Sequence, residues 1–65
     1  MKKFGLRIRQ IRKEKGISQE QLASETGFEL SQIGRIERAE VNTSISHVAA
    51  IARALKVPVS SLFEF

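Results

Sequence analysis

The sequence predicts an all-α fold in which five short helices enclose one core. Three observations predict it. Apolar residues recur at helical spacing along most of the chain, glycine or proline follows three of these patterns, and the alternation typical of a strand is confined to residues 57–59. A chain of 65 residues is long enough for one domain only, so residues 1–65 are expected to form a single compact domain.

The first helix is predicted over residues 2–15. Phe4, Ile8 and Ile11 recur at i, i+4 and i+7 and so share one face, and Gly16 stands where a helix commonly ends. The remaining faces are strongly basic, because seven lysines and arginines in the first fifteen residues oppose a single acid. Such a run is consistent with a solvated face or with a surface that attracts phosphates, whereas the narrow apolar face disfavours binding to a membrane.

Residues 18–38 predict two short helices joined by a sharp turn. Ser18 is a favourable N-cap, Gly27 stands where the chain must reverse with a positive φ, and the small Ala23 allows the two helix backbones to approach closely. This arrangement is a helix-turn-helix, which DNA-binding proteins use to lay the second helix in the major groove of the duplex. The expected helices and their buried residues are 19–25 with Leu22 and Ala23, and 30–38 with Ile33 and Ile36.

A fourth helix is predicted to follow Ser44, which is a favourable N-cap. Its apolar stripe consists of Ile45, Val48, Ala49, Ala52 and Leu55. The dipeptide Val57-Pro58 ends this helix, because a proline disfavours the helical region for the residue before it. Ser60 is then expected to cap a final turn that holds Leu62 and Phe63.

The composition gives no support to several classes of function. Cysteine is absent, which excludes a thiolate metal site or a disulfide framework, and no stretch approaches the ~20 apolar residues that span a bilayer. The opening residues do not resemble a signal peptide, so a cytoplasmic protein is expected. The single histidine, His47, is expected on the solvated surface. Because no acid/base pair, glycine-rich phosphate loop or metal cluster is present in the pattern, we expect neither an enzyme nor a cofactor.

Four segments of the chain together resemble one family of DNA-binding proteins. They are Phe-Gly-Leu-Arg-Ile-Arg-Gln-Ile-Arg at 4–12, Gly-Ile-Ser-Gln-Glu-Gln-Leu-Ala at 16–23, Ile-Gly-Arg-Ile-Glu-Arg at 33–38 and Ile-Ala-Arg-Ala-Leu-Lys-Val at 51–57. With these segments the chain resembles, over nearly its whole length, the Cro/C1-type helix-turn-helix family of phage repressors, restriction-modification controller proteins and small bacterial regulators. The resemblance implies a lambda-repressor-like fold that places the second motif helix in the DNA major groove, usually as a homodimer.

Three positions depart from the pattern of that family. Position 29, often a serine or threonine that caps the recognition helix, is Glu29, which brings negative charge toward phosphates. Position 39, usually glycine, is Ala39, and a left-handed alanine costs about 1 kcal/mol, so a different cap is expected at this helix end. The loop has Asn42-Thr43 where an asparagine-proline pair is common.

Base reading is expected from the exposed face of the recognition helix, opposite Ile33 and Ile36. The residues of this face are Leu30, Ser31, Gly34 and Arg35, with Gln32 at its edge. Arg35 can bind the O6 and N7 atoms of guanine together, Ser31 can donate or accept a hydrogen bond, and Leu30 can pack on a thymine methyl. A phosphate contact or a surface ion pair remains the alternative for Arg35.

The resemblance also implies contacts to phosphates and one structural ion pair. Gln19 is expected to clamp a phosphate together with backbone N–H groups at the start of its helix. Further candidate phosphate contacts are Ser18, Arg38, Asn42 and Thr43. In this family an arginine of the first helix pairs with a glutamate near the end of the recognition helix, and the matching residues here are Arg12 and Glu37.

The apolar residues near the end of the sequence predict a surface that contacts a second copy of the chain. Leu62, Phe63 and Phe65 are bulky apolar residues, and we expect the last helix, with parts of the fourth, to form a homodimer interface that sets two recognition helices about 34 Å apart. In the alternative, Phe63 completes the core and Phe65 frays. The expected function is therefore sequence-specific binding of double-stranded DNA by a dimeric repressor or autoregulator. An antitoxin or another protein-interaction module with the same fold remains the alternative.

Overall fold

A computed structural model describes residues 2–41 and 43–65 of the protein. In chain order its elements are α1 Lys2–Glu14, α2 Gln19–Thr26, α3 Leu30–Glu37, α4 Ile45–Leu55 and a 3-10 helix over Val59–Phe63. The described residues contain no strand, which confirms the all-α prediction. Of the five predicted helices, the first four are α-helices in the described residues, and the last is a 3-10 helix that follows Pro58. Geometry of the 3-10 type is used for short helical pieces, and this one spans five residues.

All five helices contribute to one core. Each contains at least one large apolar side chain with less than 2% of its surface exposed. These side chains are Ile8, Leu22, Ile33, Ile51, Leu55 and Leu62. Because α2 packs against both α3 and α4, while α1 packs against α3 and the 3-10 helix, the two motif helices are held by the rest of the chain.

Side-chain caps start α2 and α4 where the sequence predicts them. The Oγ atoms of Ser18 and Ser44 each accept a hydrogen bond from the N–H three residues later, over 3.0 Å and 3.3 Å. At the other end of α2, Gly27 has φ 80° and donates its N–H to the carbonyl of Ala23 over 2.9 Å. A positive φ strains other residues, so the turn between the motif helices depends on glycine at this position.

The other three α-helices end in a common backbone motif, in which a residue in the left-handed conformation follows the last turn. This residue is Gly16 after α1, Ala39 with φ 60° after α3, and Lys56 with φ 60° after α4. In each case the next residue donates its N–H to the carbonyl five residues back, over 2.8–3.0 Å. The expectation of a different cap after α3 is therefore wrong, because alanine takes the left-handed conformation where these hydrogen bonds satisfy the terminal carbonyls.

Three side chains have surroundings that differ from the sequence prediction. Ile45 is 89% exposed, because it is the first residue of α4 and precedes the part of the helix that enters the core. Ser60 lies within the 3-10 helix, whose N-cap is Pro58, and does not cap it. His47 is half-buried, since its ring makes an edge contact with Phe28 at a centroid distance of 4.7 Å.

Gly5 allows α1 to pack closely on the end of α3. A Cβ atom at this position would lie 2.5 Å from the carbonyl oxygen of Glu37 and 2.6 Å from that of Ile36. Both neighbours are main-chain atoms, which cannot rotate away as a side chain can. Any side chain at position 5 would therefore separate the two helices, and the interior is too densely packed to absorb that shift.

Candidate nucleic-acid interface

A polar groove lies where α1, α3 and the start of α2 meet. Its volume is about 520 Å³. The residues that line it are Arg9, Arg12, Ser18, Gln19, Glu20, Gly34, Glu37 and Arg38. All but Arg9 and Glu20 are candidates from the sequence analysis, so the fold gathers these candidates from three helices into one place.

The Arg12–Glu37 pair implied by the resemblance is present in the structure. Arg12 donates from Nε to one carboxylate oxygen of Glu37 over 2.7 Å and from Nη2 to the other over 3.2 Å. Only 10% of the Arg12 side chain and 4% of the Glu37 side chain are exposed. Arg12 also donates to the carbonyl of Ile17 over 2.9 Å, which ties α1 to the loop before α2. A bidentate pair desolvated to this degree orients the elements around it.

Gln19 connects the start of α2 to the same carboxylate. Its Nε2 donates to Glu37 Oε1 over 3.1 Å, and its side chain is half-buried, whereas the neighbouring Ser18 and Glu20 are exposed. The first N–H groups of a helix have no acceptor within that helix, so they favour an anion at this end. The start of α2 therefore presents an anion-attracting helix end at the groove, held in place by the buried carboxylate of Glu37.

The outer face of α3 holds most of the candidate base readers. Leu30 is 47% exposed, Ser31 and Arg35 are exposed as well, and Gln32 is half-buried. Gly34 is buried, which corrects the expectation that it is exposed beside them. Three side chains on this helix, those of Leu30, Ser31 and Arg35, are therefore freely accessible to a partner.

Arg38 covers Gly34. A Cβ atom at position 34 would lie 2.9 Å from Nη1 of Arg38, so the missing side chain leaves room for the guanidinium against the backbone of α3. Glycine in mid-helix costs about 1 kcal/mol relative to alanine. The room that Arg38 requires gives a reason within the protein for glycine at this position.

Glu40 holds Arg38 at this place. Nε of Arg38 donates to one carboxylate oxygen of Glu40 over 2.8 Å and Nη2 donates to the other over 3.4 Å. The hydrogen bond, with a further contribution from the attraction between the charges, raises the pKa of Arg38 and lowers the pKa of Glu40. Both groups are therefore charged at neutral pH. The side chains are 61% and 53% exposed, so this pair lies at the surface of the protein.

Thr43, a candidate in the loop after α3, is not brought to the groove. Asn42 lies outside the described residues. The Thr43 hydroxyl oxygen is buried and has no hydrogen-bond partner among the residues that the structure describes. Thr43 lines a separate apolar pocket with Phe4, Val48 and Phe63. In this conformation Thr43 does not present its hydroxyl to a phosphate.

Two residues of the groove are not identified by the sequence reasoning. Arg9 precedes Arg12 by three residues, which places both on one side of α1. Glu20 lies in the first turn of α2, where a carboxylate is favourable for the helix itself. Arg9 therefore adds positive charge to the groove, and Glu20 offsets part of it.

The aromatic tail lies against α1. The rings of Phe63 and Phe4 stack with a centroid distance of 5.0 Å and an angle of 25°. Phe63 is nevertheless 50% exposed, and Phe65 is 65% exposed. Leu62 is fully buried in the core, which corrects the expectation that it lies in a dimer interface. The accessible apolar surface of the tail therefore belongs to Phe63 and Phe65.

Two other kinds of site are not found in the part of the chain that the structure describes. No group of three acidic or histidine side chains there is placed to hold a metal ion. None of the described helices is both long enough and apolar enough to cross a membrane.

The helix-turn-helix family model matches residues 8–62 of the chain. The chain belongs to this helix-turn-helix family. It is 41% identical over 58 residues to the immunity repressor protein of Bacillus phage phi105, and the matched region covers 89% of this chain and 40% of the repressor. It is 39% identical over 62 residues to the transcriptional regulator SinR of Bacillus subtilis, and the matched region covers 94% of this chain and 56% of SinR. The chain thus spans about half the length of these two relatives.

Solved structures with the helix-turn-helix fold are closely similar to this one. The restriction-modification controller protein C.AhdI from Aeromonas hydrophila has a TM-score of 0.93 at 40% identity, covering 95% of this chain and 94% of that protein. SinR in complex with DNA has a TM-score of 0.86 at 39% identity, covering 94% of this chain and 98% of the solved SinR chain. These relatives are named as regulators, repressors or controller proteins, and not as enzymes.

Proposed function

We propose that the protein binds double-stranded DNA at specific sequences and regulates transcription, as a dimeric repressor or autoregulator. The observation that carries the proposal is the groove between α1, α2 and α3, where the start of α2 and the last turn of α3 meet. The start of a helix attracts phosphate, and the second helix of such a motif lies in the major groove. The likeness to SinR, which has been solved in complex with DNA, supports the same conclusion.

Phosphate contacts are assigned to the groove. Arg9 and Arg38 supply positive charge there, and Gln19 and Ser18 stand at the start of α2. Contacts to phosphates fix the register of a protein on the duplex but carry no sequence information. These four residues would therefore set affinity and orientation, while selection of the sequence depends on α3.

Base contacts are assigned to the exposed face of α3. Arg35 is the principal reader, because its guanidinium can donate to both guanine O6 and N7, a contact worth ~1–3 kcal/mol of discrimination. Ser31 and Leu30 are exposed on the same helix and supply a hydroxyl and an apolar surface. Gly34 does not contribute a contact of its own, since it is covered by Arg38.

Selection from a pool of random duplexes, followed by sequencing, tests this function. We expect a site with two related half-sites, and we expect Arg35→Ala to relax the consensus at one position in each half-site. Arg53→Ala is the matched control, because Arg53 is an exposed arginine on α4 that lines a different groove with Glu25 and Thr26. A loss of affinity that is uniform over all sequences would reassign Arg35 to a phosphate.

The salt dependence of binding separates a DNA-binding protein from a protein-interaction module. Each neutralised phosphate is expected to contribute about −0.9 to the slope of log affinity against log salt concentration. A protein that binds no duplex at low salt would refute the proposed function and would favour the interaction module instead.

A further inference from the structure

We propose that Glu40 competes with DNA phosphate for the guanidinium of Arg38 and thereby lowers the affinity of the protein for DNA of every sequence. The proposal rests on the proposed function, because it concerns how strongly the same surface binds. It assigns a role to an acidic residue at the edge of a surface that is otherwise expected to attract a polyanion.

The backbone after α3 brings Glu40 to Arg38. Ala39 has a left-handed conformation with φ 60°, and Glu40 donates its N–H to the carbonyl of Arg35 over 2.8 Å. This turn folds the chain back, so that a carboxylate two residues after Arg38 reaches its guanidinium. Gly34 completes the arrangement, since a Cβ atom there would lie 2.9 Å from Nη1 of Arg38.

Glu40 occupies one edge of the Arg38 guanidinium that a phosphate can also bind. A guanidinium binds a carboxylate or a phosphate through two parallel N–H groups. In Arg38 these groups are Nε and Nη2, and both donate to Glu40, over 2.8 Å and 3.4 Å. The pair is exposed to solvent, so DNA can reach it, and exposed ion pairs separate at small cost. Glu40 therefore weakens the contact with phosphate and does not prevent it.

The other carboxylate near this helix end is already neutralised. Glu37 accepts hydrogen bonds from Arg12 and Gln19 and is almost fully buried. The charge of Glu40, in contrast, is exposed, and its pKa is lowered chiefly by the hydrogen bond with Arg38 and to a smaller extent by attraction to Arg35. Glu40 thus acts electrostatically on both arginines at the end of α3, and it repels phosphates that approach them.

Glu40→Gln tests the proposal, because glutamine keeps the shape of the side chain and removes the charge. Binding is measured by fluorescence anisotropy with two labelled duplexes, one carrying the selected site and one with the same bases scrambled. We expect Glu40→Gln to tighten binding to both duplexes by the same factor, about two- to fivefold at low salt. We also expect the slope of log affinity against log salt to steepen by up to about 0.9.

Two further variants distinguish competition from a general effect of charge. Glu25→Gln changes the net charge by the same amount on an exposed residue that lines a different groove, and we expect it to have a much smaller effect. In an Arg38→Gln background, Glu40→Gln is expected to raise the affinity much less than it does in the unmodified protein, because the guanidinium over which the anions compete is gone and only the repulsion between Glu40 and phosphate is relieved. Melting curves monitored by circular dichroism verify that each variant is folded.

The outcomes separate the two proposals. If the unmodified protein binds neither duplex at low salt, the proposed function fails and the role of Glu40 fails with it. If the unmodified protein binds but Glu40→Gln leaves its affinity unchanged or weakens it, only the competition is refuted, and a weakening would mean that Glu40 positions Arg38 for DNA. An equal gain from Glu40→Gln and Glu25→Gln would also refute it.

Discussion

At the scale of single residues, the buried carboxylate of Glu37 connects the elements around the groove. It accepts hydrogen bonds from Arg12 and Gln19, and its removal would leave the guanidinium of Arg12 buried without its partner. We expect Glu37→Ala to lower the free energy of unfolding by about 3–5 kcal/mol, the cost of an unpaired buried charge. Urea unfolding followed by circular dichroism measures this loss.

Two matched variants show whether the loss comes from the unpaired charge. The double substitution Arg12→Met with Glu37→Leu removes both charges, and we expect it to recover most of the stability. Glu40→Ala removes an exposed carboxylate of the same kind and is expected to leave the unfolding midpoint nearly unchanged. An unaltered midpoint for Glu37→Ala would contradict the structural role of the buried pair.

The two ion pairs at the groove differ in how far the sequence could predict them. The positions of Arg12 and Glu37 match a family pattern, so the resemblance identified them. The pair of Arg38 with Glu40 depends on the left-handed conformation of Ala39, which sterics disfavour for alanine. Sequence patterns therefore led to the expectation of a different cap, and they did not place Glu40 beside Arg38.

At the scale of elements, the left-handed residues after α3 and α4 are sites of avoidable strain. Ala39 and Lys56 both have φ 60°, a conformation that glycine adopts without the steric cost of a Cβ atom. We expect Ala39→Gly and Lys56→Gly each to raise the free energy of unfolding by at most about 1 kcal/mol. The greater freedom of glycine in the unfolded chain offsets part of the strain that is relieved. Ala50→Gly within α4 is the control and should lose about 0.5–1 kcal/mol. A destabilised Ala39→Gly protein would contradict the account.

The starts of helices were predictable where a side chain caps them. Ser18 and Ser44 accept hydrogen bonds from the N–H groups that a serine N-cap is expected to satisfy. At the start of α3, Glu29 makes no such bond with its side chain, and only its carbonyl accepts bonds from the first turn. The exposure of Ile45 was not predictable from periodicity, because a helical repeat does not reveal where along its axis a helix meets the core.

At the scale of the whole molecule, the exposed aromatic tail is the proposed contact with a second copy. A standard interface buries ~800 Å² from each partner, which is about a fifth of the 4108 Å² surface of this chain. We expect Phe65→Ser to shift the protein from dimer to monomer in analytical ultracentrifugation at micromolar concentration. Phe65 is the preferred position, since Phe63 also stacks on Phe4 and its loss would disturb packing against α1.

Leu30→Ser is the control for that experiment. Leu30 is a similarly exposed apolar residue, but it lies on the recognition helix, so its loss should leave the dimer intact. An unmodified protein that sediments as a monomer would contradict the proposed interface.

The sequence predicted the all-α class because helical spacing dictates it, but it did not divide Leu62 and Phe63 between core and surface. Which of the two side chains is buried depends on the interior volume that the five helices enclose, and this volume is not visible in a sequence pattern.

The contact at Gly5 has a mechanical consequence. Contacts between side chains can adjust by changes of rotamer, whereas here the backbone of α1 rests directly on the carbonyl groups of Ile36 and Glu37. The tilt of the recognition helix is therefore set by two main chains in contact, and it is insensitive to how the surrounding side chains repack. Side chains on the exposed face of α3 can then change rotamer without altering the angle at which that face is presented.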